Sequence, residues 1–239
     1  YQPIISMRDR SISGFEALLR WSHRSRGAIS PNEFIPLAEE TGLIYDLGQW
    51  VLRKACEQIA GWNKDKSKEE QLEISINLSG RQFSDPNLVG GIVENIEKSG
   101  FNAKFLKIEI TESALMENAQ RSVSMLNQLK DLNIKVCVDD FGTGYSSLSY
   151  LHTFPIDTLK IDRSFVHDMS RNFRNMEIIR TIIMLAHNLK LDVIAEGVET
   201  AEQYAQLSAL GCQFAQGFYF SRPVNSSDAA LLIQQNRQW

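Results

Sequence analysis

The rhythm of this chain restricts its fold more than any other feature. Short apolar runs of strand length recur about every 30 residues: "LEISINLS" at 72–79, "FLKIEITES" at 105–113, "IKVCVDDF" at 134–141, "DTLKID" at 157–162, "LDVIAEGVE" at 191–199 and "QFAQGFYF" at 213–220. Amphipathic, helix-like sequence fills most of the gaps between them. A strand followed by a helix cannot turn back as a hairpin, so successive strands run parallel. The opening differs: "YQPIIS" and "ISGFEALLRW" are joined only by the polar "MRDRS", which predicts an antiparallel pair. About eight strands with no break in composition predict a closed α/β barrel of the TIM (β/α)8 type, irregular at its start.

Helix signals agree with this frame. Ser30-Pro31-Asn32-Glu33 reads as a capping box with proline in the first turn, and Thr200-Ala201-Glu202-Gln203 as a second box. Helices are predicted over Asp46–Trp62, from Asp85-Pro86 to Gly100, over Gln120–Leu132, through "MEIIRTIIMLAHNL" and through "SSDAALLIQQ", with "NKDKSKEEQ" as a solvated loop. At 239 residues and 43 % hydrophobic, the chain is expected to form one domain over 1–239. It starts on strand sequence without an initiator methionine, so the expectation is a module of a longer protein. A net charge of −4 without a basic run argues against a nucleic-acid polymer as partner. Cys56, Cys137 and Cys212 lack C-x-x-C spacing, which predicts neither disulfides nor zinc and fits a reducing, cytoplasmic setting. "IIRTIIMLA" is too short to span a bilayer, so no membrane contact is expected from this module.

The polar residues carry the functional signal. Glu16, Asn77, Glu109, Asp139, Asp140 and Glu196 fall near the carboxyl ends of strand runs, with Lys160 inside "TLKID" and Gln216 closing "FAQG". In a barrel those ends converge on one rim, where active sites are built. Two carboxylates about 4 Å apart repel by roughly 4 kcal/mol at an effective dielectric near 20, so such a rim calls for cations. All-oxygen donors suit Mg²⁺ or Mn²⁺, and two such ions roughly 3.5–4 Å apart activate water against a phosphodiester. A Mg²⁺-dependent lyase with Lys160 as base is a competing reading of the same residues. The "DFG" triplet does not signal a kinase, because no phosphate loop, V-A-I-K strand or H-R-D segment precedes it.

The ordered segments "FEALLRW", "NLSGRQF", "EITES", "DDFGTGYSSLSYL", "LKID", "AEGVET" and "QGFYFSRP" resemble the EAL-domain family along essentially the whole chain. The resemblance implies a barrel whose first strand is antiparallel, and a bacterial phosphodiesterase that linearises cyclic di-GMP to pGpG with two Mg²⁺ or Mn²⁺ ions. It places metal ligands at Glu16, Asn77, Glu109, Asp139, Asp140 and Glu196. Lys160 and Gln216 then lie beside the attacking water, and Gln2 and Arg20 at the substrate. Glu112 would steady the loop after the paired aspartates, with Glu199 in an outer role. It further implies a homodimer formed near that loop, sensor or GGDEF-type domains on the same polypeptide, and a missing helix before "YQPI". Because some relatives have lost catalysis, a silent cyclic di-GMP receptor is the alternative.

Overall fold

In the computed structural model, which describes residues 1–67, 70–144, 151–235 and 239, the hairpin comes first. Strand β1 (Gln2–Ser6) turns into β2 (Ile12–Ala17), and a small ribbon of β3 (Trp21–His23) and β4 (Gly27–Ile29) follows. Helix α1 (Pro31–Thr41) and helix α2 (Leu43–Asn63) lead to β5 (Glu73–Asn77). The chain continues through α3 (Gly80–Phe83), α4 (Leu88–Ser99), β6 (Leu106–Thr111), α5 (Glu112–Glu117), α6 (Ala119–Asp131) and β7 (Lys135–Phe141). Then come β8 (Thr158–Ile161), α7 (Arg163–His167), α8 (Phe173–Asn188), β9 (Asp192–Ala195), α9 (Ala201–Ala209), β10 (Phe214–Ala215) and α10 (Ser226–Gln235).

Eight of these strands close a barrel in the order β1-β10-β9-β8-β7-β6-β5-β2. β1 is antiparallel to both neighbours, and every other barrel pair is parallel. The irregular start expected from the sequence is therefore real. Reversal has a direct consequence: the amino end of β1 lies at the rim formed by the carboxyl ends of the others, with Gln2 opposite Glu16.

Period-two alternation divides each strand between two environments. In β6, Leu106, Ile108 and Ile110 are buried in the apolar layer beneath the helices, while Lys107 and Glu109 point into the barrel. The barrel-facing positions of β6 are thus polar. At the amino end of the barrel Glu73 pairs with Lys107 at 3.2 Å and with Lys135. At its carboxyl end lie the predicted site residues.

Of the two capping boxes expected one forms, the runs at 191–199 and 213–220 are strand only over Asp192–Ala195 and Phe214–Ala215, and the helix expected from Asp85 starts at Leu88. Thr200 and Gln203 form both halves of a capping box. Ser30 accepts from the Asn32 N–H, but Glu33 completes no box; its carboxylate pairs with Arg26 of the ribbon at 2.8 Å. No helix among the described residues is long and apolar enough to cross a membrane.

Candidate active site

Each site residue reaches the rim for a local reason. Glu16 lies one residue before the end of β2 and Asn77 ends β5, in register steps that bring Asn77 beside Glu109 on β6. Lys160 lies within β8, while Glu196 and Gln216 directly follow β9 and β10. The adjacent acids need more than alternation, which would send them to opposite faces. The β7–β8 register shifts between Val138 and Phe141, and Asp140 takes the left-handed conformation at φ 53°. Its N–H donates to Asp139 Oδ1 at 2.9 Å. The bulge is what turns Asp140 out of the strand alternation beside Asp139.

Lys160 is the centre of the cluster. Its Nζ lies 2.6 Å from Glu109, 2.6 Å from Glu196, 3.4 Å from Glu16 and 3.6 Å from Asp139. Glu16 is further held by the Asn77 amide at 2.6 Å and the Gln216 amide at 2.7 Å. Gln216 Nε2 also donates to Gln2 Oε1 at 3.0 Å, and Gln2 Nε2 to the Ser221 carbonyl at 3.1 Å. Glu112 Oε2 accepts from the Gly142 N–H at 3.1 Å, just after the aspartate pair. Gly142 sits at φ 94°, a conformation that side chains rarely adopt.

The electrostatics follow from burial. Burial pushes the Glu109 carboxyl up to about 8 and the Glu196 carboxyl up to about 7, against the pull of Lys160. For Glu16, burial is outweighed by Lys160, Gln216 and Asn77, which hold it below the usual range. Burial alone would lower Lys160, but Glu109, Glu16, Glu196 and Asp139 raise it well above its ordinary value. Asp140 is raised by burial and by its neighbours Asp139 and Asp162. One lysine is therefore insufficient for this many acids.

These residues match a hard divalent ion in kind. They supply only carboxylate and amide oxygens, and Glu109 Oε1 is buried with no partner. As they stand, the carboxylates gather on Lys160. No three acidic, imidazole or thiolate donors among the described residues converge on one ion position.

Among the other expected residues, Arg20 is exposed, with its guanidinium on the Leu19 carbonyl at 2.8 Å. It lines, together with Asn77 and Glu109, a cavity of about 410 Å³. Glu199 is exposed, and its carboxylate bonds no described residue. Residues 145–150 of the expected glycine-bearing segment, near which a dimer contact is expected, lie outside the described residues. Sequence reasoning missed the Gln2–Gln216–Glu16 chain, whose members lie about 200 residues or more apart along much of it, as the 214-residue Gln2–Gln216 separation shows. It also missed Asp162, another rim acid, which caps α7 by accepting from the Ser164 N–H.

A barrel with an antiparallel first strand and a lysine-centred acidic rim defines the structural class. Within it, the chain belongs to the EAL domain family, whose model matches residues 1–223. It is 42 % identical over 224 residues to the cyclic di-GMP phosphodiesterase NbdA of Pseudomonas aeruginosa, covering 94 % of this chain and 28 % of that protein. It is 40 % identical over 224 residues to the bifunctional diguanylate cyclase/cyclic di-GMP phosphodiesterase MucR of the same organism, covering 94 % and 32 %. The chain thus spans about a third or less of the length of these curated relatives. Among solved structures, the PaMucR phosphodiesterase in complex with c-di-GMP superposes with a TM-score of 0.92 at 39 % identity, covering 96 % of this chain and 92 % of that one. The EAL enzyme Bd1971, in its cAMP- and cyclic-di-GMP-bound form, also superposes at 0.92, with 37 % identity and coverages of 98 % and 63 %.

Proposed function

We propose that this chain is a metal-dependent phosphodiesterase that opens cyclic di-GMP to linear pGpG. The observation that carries the reading is the convergence of Glu16, Glu109, Asp139 and Glu196 on Lys160 at the rim. The named activity of the relatives and the c-di-GMP complex of PaMucR supply the substrate.

Glu16, Asn77, Glu109, Asp139, Asp140 and Glu196 would hold Mg²⁺ or Mn²⁺. Such ions, when bound, polarise phosphoryl oxygens and make a water more acidic. The protein's own residues do the rest. Lys160, with its ammonium among four carboxylates, acts as a cation that keeps the acids together and orients a water. Gln216 spends both amide hydrogens on Gln2 and Glu16, leaving its buried Oε1 unpartnered as an acceptor for that water. Arg20 is an exposed cation on the same cavity as Asn77 and Glu109, suited to a substrate phosphate. Glu112 holds the backbone just after the aspartates, and exposed Glu199 acts from outside the cluster.

The named activity of NbdA and MucR and the c-di-GMP complex of PaMucR favour this reading over the lyase. The test is to incubate purified protein with cyclic di-GMP and Mn²⁺ or Mg²⁺, with a chelated control, and to separate pGpG from intact substrate. Metal-dependent pGpG is expected. Tight binding without cleavage would make the chain a receptor instead.

A further inference from the structure

The buried amide of Gln2 is committed at both ends. Gln2 is 8 % exposed; its Nε2 donates to the Ser221 carbonyl and its Oε1 accepts from Gln216. The carbonyl of Ser221 accepts only, so it fixes which way the Gln2 amide points. That orientation presents an acceptor to Gln216, whose second N–H reaches Glu16 Oε2 at 2.7 Å. A one-directional relay therefore runs from the backbone of the segment after β10, through Gln2 and Gln216, to a carboxylate at the centre of the site. The segment is anchored beside it, because the Val224 N–H donates to the Tyr1 carbonyl at 2.8 Å.

We infer that Gln2 is a positioning residue: it fixes the amide of Gln216, and through it the Glu16 carboxylate, rather than gripping substrate. This rests on the phosphodiesterase reading and departs from the role that the family resemblance implies for Gln2. Remove the Gln2 amide, and Gln216 keeps its bond to Glu16 but loses the contact that stops it rotating about that bond. Its free Oε1 then no longer points in one direction.

The experiment compares Gln2→Met, similar in length but without the amide, with the unaltered protein. The expected result is a fall in kcat of about tenfold, the worth of one misdirected hydrogen bond, with KM kept within about twofold. The dissociation constant for intact cyclic di-GMP, measured in chelator, stays within about twofold. In metal-free protein the side-chain NH₂ signals of Gln216 shift by NMR. If Gln2→Met does not fold, Gln2→Asn, whose amide is one methylene too short to reach both partners, carries the same expectation. A rise in KM and in the dissociation constant with kcat retained would overturn the inference, because Gln2 would then be a substrate contact. Unchanged kinetics and unchanged Gln216 signals would overturn it too, since Glu16 alone would suffice. Absence of turnover in the unaltered protein strikes the phosphodiesterase reading, and the chelator binding and NMR readouts still decide the role of Gln2.

Discussion

Lys160 and Glu109 meet in complete burial, ammonium to carboxylate at 2.6 Å, in the middle of a rim with further acids around them. The pair acts as an internal counterion arrangement that is still short of positive charge. Lys160→Met is expected to lower pGpG formation by on the order of 10²–10³-fold, as for loss of one preorganised charged contact. Without divalent ions the variant is also expected to melt lower, because buried carboxylates lose their partner. Added Mn²⁺ recovers part of that melting temperature by binding the folded state. Calorimetry with and without chelator checks it.

Asp140 combines a left-handed backbone with a carboxylate proposed to hold metal, so its substitutions separate the two. Asparagine tolerates φ 53° well, and Asp140→Asn is expected to keep the wild-type melting temperature while losing most turnover. Asp140→Val places a branched side chain in that conformation and is expected to cost a further ~1–2 kcal/mol in denaturant unfolding.

Glu112 reaches the active loop from α5 by accepting the Gly142 N–H. Glu112→Ala is expected to expose that amide to hydrogen exchange and to lower kcat by about tenfold or more. Glu112→Gln keeps a carbonyl acceptor and is expected to retain most of the protection. Exchange mass spectrometry over peptides containing Gly142 distinguishes them.

The ion cluster at the opposite end of the barrel makes a stability prediction. Lys107 is 4 % exposed and pairs with Glu73, which also pairs with Lys135. Glu73→Gln strands a buried lysine and is expected to cost ~3–5 kcal/mol; Lys107→Met removes the buried charge and leaves Glu73 with Lys135, so it costs less. Burial raises the Glu73 carboxyl, but Lys107 and Lys135 outweigh it and hold the group below its ordinary 4.5. The unfolded chain binds this proton first as pH falls. The contribution of Glu73 is therefore complete above 4.5 and lost on acidification through its lower folded value. Denaturant midpoints between neutral pH and pH 3 should fall less steeply in Glu73→Gln than in the unaltered protein.

What could be read from the sequence was whatever local pattern encodes. Strand positions, the hairpin, the capping box at Thr200 and the placing of acids at strand ends all follow from spacing along the chain. The ribbon at Trp21–Ile29 and the short helix at Glu112 escaped because neither has a full period to display. The bulge that turns Asp140 is written in no single residue preference, since aspartate only tolerates that conformation. Glu33 looked like half of a capping box, yet it answers to Arg26 across the turn, an attraction between elements. The occupation of the acidic centre by Lys160 was legible as proximity but not as geometry. It depends on several strands meeting across the barrel.

The reversed first strand also decides which parts of the chain must meet to complete the rim. β1 and β2 are sequence neighbours and can zip early, whereas β1 meets β10 through only two register pairs, Ile5 with Ala215 and Ser6 with Phe214. That brief seam joins the two ends of the chain's itinerary, and Gln216 crosses it to touch Gln2 and Glu16. The cluster at the rim is therefore complete only when that last strand pairs with the first.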